Sequence, residues 1–308
     1  MEKIKLILLY GPLSSQHNGK YQMMIDGKLT CGYRPFAEKY GCIIYLSPQK
    51  TKKDWELSIC NPKKVIQFIN KHPDAIVWAI KHNTNRDEKI LSKINNKKIY
   101  YSCCSHNMYN SFCDVSLVDT KERLKKNAKL YIKGKDPDFW KPLDVKKKFD
   151  YVFVGRRGDK NEFFFLKKLN SIDKKRKILW IGGKKHKNKV HTKHSITYTS
   201  VLSASGVRDN ISKAKVGILF TEKILEGFPQ AFLEMTMCGV PVVYNKGAPG
   251  NPNYFFENNS LRVGKNNLVN GAEKLLKRYD PIKCREEAIN NYSIEKSYNN
   301  FLKVLNIQ

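Results

Sequence analysis

Residues 225–243 read LEGFPQAFLEMTMCGVPVV, and the rest of the chain is placed around them. The stretch is a turn, a helix and a strand. Pro229 follows Glu226-Gly227-Phe228 and suits the first position of a helix, where its missing N–H is not needed. The helix runs through Ala231, Phe232 and Met235 and stops at Gly239, the residue type favoured just past a helix end. Pro241 prevents continuation, and Val242-Val243-Tyr244 reads as a buried strand. Upstream, residues 216–220 form another short apolar strand. Glu226 then falls in the loop after a strand, and Glu234 on the helix that follows. In a parallel sheet that is the carboxyl-end crevice where α/β proteins take ligands. A helix N-terminus favours phosphate, and carboxylates accept hydrogen bonds from sugar hydroxyls. Two glutamates in such a place suit a phosphorylated, hydroxyl-rich ligand, although a lone surface glutamate is commonly just solvated.

Outward from this stretch the chain alternates. Strands are expected at 4–10, 42–47, 75–80, 99–104 and 113–118, with helices at 34–39, 62–70, 87–95 and 120–126 between or after them. After residue 150 the pattern resumes with strands at 151–154 and 178–183 and helices at 162–169 and 207–214. The chain closes on helices at 268–278, 282–290 and 293–305. Alternating strands and helices predict a doubly wound parallel sheet, here twice over. Domain 1–143 is followed by domain 144–292, and the last helix, 293–308, carries apolar Tyr298, Phe301, Leu302 and Leu305 that permit it to pack back on the first.

Composition limits the partners. The 308 residues are enough for two domains with a core each, and 41% of them are hydrophobic. The longest apolar run, 4–10, is broken by Lys5 and is far shorter than a membrane span. The eight cysteines contain no C-x-x-C pair and read as reduced packing residues of a cytoplasmic protein. His186, His191 and His194 cluster without a carboxylate or cysteine among them, so no metal is expected. Fifty-seven Lys+Arg against 28 Asp+Glu give a net charge of +29, which favours a polyanionic partner: DNA, or the anionic face of a membrane. A plain Lys/Asn-rich compositional drift would raise the charge in the same way.

Taken whole, EGF-x(5)-E followed by CG-x-PVV resembles the signature of glycosyltransferase family 4, retaining enzymes of the GT-B fold. A second segment, LYIKGKDPDFWKP at 130–142, is similar to that family's link between domains, with Lys133 where asparagine is usual. A third, the strand 151–154 running into Gly155-Arg156-Arg157-Gly158-Asp159-Lys160, is similar to its diphosphate cradle, with Asn161 replacing a glycine. Arg offers a bidentate fork to phosphate oxygens and Lys a point charge. The family's N-terminal glycine pair is represented here by the separated Gly11 and Gly19, and its histidine facing the sugar by His106, after the strand 99–104.

The resemblance implies two Rossmann-like doubly wound domains facing across a cleft. It implies transfer of a sugar from a nucleotide-sugar such as a UDP- or GDP-sugar, with retention at the anomeric carbon and no metal. Arg156 and Lys160 would neutralise the leaving diphosphate, with Arg157 a competitor for that role. Glu226, with the amides of Gly227 and Phe228, would hold the transferred sugar, and Glu234 the ribose. Gly19 and Pro229 would line the donor site, and His106 would face the reacting centre. For the acceptor, the excess charge, the compact N-terminal domain and the Lys/Asn-rich composition look similar to phage enzymes that glycosylate modified DNA bases in the host cytoplasm, and that similarity implies such a base. A lipid or surface polysaccharide reached from an anionic membrane is the alternative. A basic nucleic-acid-binding protein on a non-catalytic transferase scaffold is a third reading, opposed by the intact pair Glu226 and Glu234.

Overall fold

The computed structural model describes residues 4–10, 34–46, 51, 53–80, 84–102, 112–118, 128–132, 134–155, 175–182, 196–199, 202–219, 229–245, 260–278 and 280–305. They fall into two compact units: 4–132 with 297–305, and 134–296.

The first unit contains β1 (Leu6–Tyr10), α1 (Arg34–Tyr40), β2 (Gly41–Tyr45), β3 (Glu56–Ser58), α2 (Pro62–Asn70), β4 (Ile76–Ile80), α3 (Thr84–Leu91), β5 (Lys98–Ser102), β6 (Val115–Val118) and β7 (Ala128–Leu130). Its sheet has the order β3-β2-β1-β4-β5-β6-β7, with every pairing parallel. Parallel strands covered on both faces read as continuous apolar runs. Accordingly Ile7, Leu8 and Leu9 of β1 are all buried. α2 shows how local chemistry sets an element: Asn61 caps it by accepting from the Lys63 amide at 2.9 Å, and Pro62 opens it. Val65 and Ile69, one turn apart, carry its inner face into the core. The C-terminal part of the chain's last helix also belongs here. Ser297 Oγ donates to Ile132 O at 2.8 Å, and the Phe301 ring stacks on Trp78 with centroids 4.6 Å apart.

The second unit contains β8 (Phe149–Val154), β9 (Ile178–Ile181), β10 (Ile196–Tyr198), α4 (Ala204–Ile211), β11 (Ala214–Leu219), α5 (Gln230–Met237), β12 (Val242–Asn245), β13 (Ser260–Val263), α6 (Leu268–Lys277) and α7 (Pro281–Tyr292). The last helix, α8 (Ile294–Leu305), starts here. The sheet order is β10-β9-β8-β11-β12-β13, again parallel throughout. Its core gathers Tyr151, Trp180, Val216, Ile218, Val243 and Leu268. Residues 134–143 make their contacts in this unit, where Leu143 N donates to Ser212 Oγ at 3.3 Å and Cys238 Sγ lies 3.9 Å from Lys141 O. No helix among the described residues is long and apolar enough to cross a membrane.

The α/β reading with two doubly wound parallel sheets holds, while several boundaries move. β3, β10 and β13 were not expected; they are short strands at sheet edges, too brief for periodicity to mark. α4 begins at Ala204 rather than 207 because Ser203 caps it, accepting from Gly206 N at 3.0 Å, and the residues from Ala214 onward join β11 instead. α3 starts at Thr84 and ends at Leu91, ahead of the expected 87–95. Pro229 is the cap of α5 rather than its first residue, with an extended ψ of 118° and its carbonyl accepting from Phe232 N at 3.0 Å. The expected helices at 120–126 and 162–169 lie outside the described residues.

Candidate active site

In the second unit the strand order reverses between β8 and β11. At such a reversal the connections depart to opposite faces and leave a crevice at the carboxyl ends, the usual ligand site of an open α/β sheet. Phe153 pairs with Ile218, so the chain leaves the two strands side by side, at Gly155 and Leu219. In sequence Gly155 is followed by Arg156, Arg157 and Lys160, and Leu219 by the segment that contains Glu226, Gly227 and Phe228. Those six residues lie outside the described residues, as do Gly19 and His106. Of the expected site residues, the structure places Pro229 and Glu234, both on the connection from β11 to β12.

α5 is seated hard on the sheet. A Cβ on Gly217 would come within 2.4 Å of Met235 Sδ, so any side chain at this point of β11 would force Met235 to shift. Phe232, Leu233, Met235, Thr236 and Met237 are buried. At the other end Gly239, with φ +70°, closes a Schellman motif: Gly239 N donates to Thr236 O and Val240 N to Met235 O, each at 2.9 Å. Arg285 of α7 braces the same end, donating to Met237 O, to Trp140 O at 2.8 Å and to Pro137 O at 2.8 Å. Burial lowers the pKa of that guanidinium. The helix start is left open. Pro229 has no N–H, and among the described residues the Gln230 and Ala231 amides have no acceptor. Gln230 Oε1 is buried there without a hydrogen-bond partner among the described residues. Free amides at the positive end of a helix dipole form an anion site.

Glu234 reaches a residue the sequence did not single out. Lys135 Nζ lies 2.8 Å from Glu234 Oε1, with the lysine side chain only 3% exposed and the glutamate 17%. The lysine backbone is fixed on both sides, its N–H donating to Tyr292 O at 2.8 Å and its carbonyl accepting from Ile294 N at 3.1 Å. Its ammonium also sits 5.2 Å from the centre of the Trp140 ring, within cation–π range. The other Glu234 oxygen, Oε2, carries no hydrogen bond among the described residues. A carboxylate offers acceptors only, so this oxygen suits a hydroxyl donor. Together, the open helix start and Glu234 can take a ligand that has both an anion and hydroxyls. Among the described residues no three His, Cys, Asp or Glu side chains gather as a metal site.

Residues 148–279 match the model of the family described as glycosyl transferases group 1. Among curated proteins, none matches the chain in sequence. Solved structures do match in fold. HepE of Anabaena, solved with UDP and glucose, is 10% identical, with 98% of this chain and 99% of that one covered and a TM-score of 0.69. An alpha-glucosyltransferase solved with UDP and a 13-mer DNA containing a central A:G mismatch is 12% identical over 99% and 100% of the chains, at 0.68. The lipopolysaccharide outer core galactosyltransferase WaaB, in its apo form, is 13% identical over 98% and 99%, at 0.65. The fold is the GT-B glycosyltransferase fold, and the family match over 148–279 agrees with the glycosyltransferase resemblance read from that part of the sequence.

Proposed function

We propose that the protein is a retaining glycosyltransferase that takes a sugar from a nucleoside-diphosphate sugar and attaches it to a hydroxyl on a modified DNA base. The observation that carries the donor half is the start of α5. There an open helix end and a fixed Glu234 adjoin the strand exits that lead to Arg156 and Glu226. Glu234 accepts from the ribose hydroxyls, and Arg156 and Lys160 or Arg157 take the diphosphate. Glu226, Gly227 and Phe228 hold the sugar, while Gly19 and Pro229 line the donor and His106 faces the anomeric carbon. The bond from that carbon to the diphosphate oxygen breaks as the acceptor oxygen bonds on the same face, and the acceptor proton passes to the departing diphosphate. Charge stabilisation of the leaving group by fixed cations, without a metal, supplies the main catalytic effect. The group 1 family match supports the transferase class, and structures with UDP support the donor type.

For the acceptor, the net charge of +29 and the fold shared with a DNA-bound alpha-glucosyltransferase favour DNA. WaaB, named for lipopolysaccharide, keeps a surface glycan as the second reading. The two are separated by supplying labelled UDP- and GDP-sugars with either DNA carrying hydroxylated bases or lipid-linked saccharides. Label recovered on the base supports the first reading. Label only on the saccharide replaces it with the second and leaves the transferase assignment standing.

A further inference from the structure

We propose that Lys135 is a positioning residue for the donor: it presets Glu234 so that Oε2 meets the nucleotide ribose without a search among rotamers. The proposal rests on the reading of Glu234 as the ribose acceptor. Lys135 has no place among the site residues suggested by the sequence, where it was one basic residue of very many. The two side chains are separated by 99 positions in the chain and brought to 2.8 Å by the docking of the 134–140 segment on the α7–α8 junction.

Three observations argue for presetting over a simple structural ion pair. The lysine is immobile by construction, because its own amide and carbonyl are tied to Tyr292 and Ile294 on either side of the parallel bridge to Ser293. Its ammonium is bounded by the Trp140 ring, so its freedom to leave Glu234 is small. And it engages one carboxylate oxygen while Oε2 has no hydrogen bond among the described residues. A pair made only to hold the fold together would profit from using both oxygens. An exposed glutamate on a helix would lose side-chain freedom when a ligand bound it; one already ordered by a buried cation has lost it on folding. The ligand class is set by the same geometry: a group with two adjacent hydroxyls, one donating to Oε2, as the 2′,3′-diol of a ribonucleotide does.

The test separates ribose recognition from general stability. UDP, GDP and ADP are titrated calorimetrically into the full chain. The best binder is then compared with its 2′,3′-dideoxy analogue in the wild type, Lys135→Met, Lys135→Arg and Glu234→Gln. Wild type should prefer the ribonucleotide. Lys135→Met should weaken the ribonucleotide about 3- to 10-fold, the loss of one preset side chain, and leave the dideoxy analogue unchanged. Lys135→Arg, which keeps the cation, should recover most of the preference. Equal loss for both ligands, or none for either, overturns the positioning role. If Lys135→Met does not fold, Lys135→Gln is held to the same comparison. A Glu234→Gln variant with an intact ribose preference overturns the reading of Glu234 itself. Wild type that binds none of the three nucleotides overturns the donor assignment, and both results are distinct from failure of Lys135→Met alone.

Discussion

The two units repeat one topology, with the first strand beside the fourth and the order reversing between them, yet one buried polar side chain in each is used differently. In the first unit Asn96 is consumed by the fold: its Nδ2 donates to the carbonyls of His72 at 2.8 Å, Pro73 at 3.1 Å and Ala75 at 2.9 Å, tying the turn into β4. In the second, Lys135 and Glu234 spend one oxygen on each other and keep another in reserve beside an open helix start. A polar group satisfied by the chain stabilises a loop. One that is held but only partly satisfied is poised for a ligand. The family match, confined to residues 148–279, falls in the unit that keeps the reserve.

The largest effect should come from taking the carboxylate away from the buried ammonium. Glu234→Leu leaves Lys135 without its carboxylate in a 3% exposed position, and removing one partner of a buried pair costs about 3–5 kcal/mol. Chemical unfolding should show a loss of that size, whereas Glu234→Gln should cost much less. Equal, small losses for both would mean that groups other than Glu234 hold the ammonium. This also means that Glu234→Ala is a poor probe of binding, because lost fold and lost ligand would be confounded.

Next in size is Arg156→Ala. If the arginine takes the diphosphate, losing a charge-assisted contact costs about 1.5–3 kcal/mol. Donor affinity should fall roughly ten- to a hundredfold by the same figure, with the melting temperature unchanged. Unaltered donor binding would pass the role to Arg157. Asn96→Leu is the counterpart in the first unit. Three carbonyls lose this donor, His72 O keeping the Ala75 amide, and stability should drop by about 1–3 kcal/mol, while nucleotide affinity stays the same. A change in nucleotide affinity there would break the contrast between the units.

The sequence made the framework legible and left much of the site hidden. Asn61-Pro62 and Gly239-Val240-Pro241 carry their own start and stop chemistry, so α2 is read to the residue and the turn into β12 is placed correctly. Edge strands such as Glu56–Ser58 and Ile196–Tyr198 have three residues each, too few for a period to declare itself. Lys135 was invisible for a different reason. Its importance comes from burial and from a partner 99 residues away, neither of which local pattern encodes. Arg285 is a similar case: nothing in its neighbourhood announces that it braces Met237, Trp140 and Pro137. Of the expected site residues, Glu234 and Pro229 are set by α5; the remainder stand on the resemblance.

The smallest predicted effect is acid sensitivity in the second unit away from its site. Desolvation works to raise the Glu273 pKa, but hydrogen bonds from Arg176, at 3.0 and 2.6 Å, and from Tyr151 outweigh it and hold the carboxyl below its ordinary range. A depressed folded-state value stabilises the fold above the unfolded carboxylate pKa and is lost as pH falls through the folded one. The pair is partly exposed, so its contribution is modest, on the order of 1 kcal/mol or less. Glu273→Gln should therefore lower the neutral plateau by that small amount, leave the acid end nearly unchanged, and so flatten the acid limb between them. A profile identical to wild type would remove Glu273 from the account.

The most direct test of the central claim is a crystal structure of the full chain with the nucleoside diphosphate that binds it best. The account predicts the ribose within hydrogen-bond distance of Glu234 Oε2, the diphosphate toward the start of α5 and Arg156, and Lys135 still on Oε1. A nucleotide bound elsewhere, or a ribose turned away from Glu234 with its base or phosphate in that place, would contradict it.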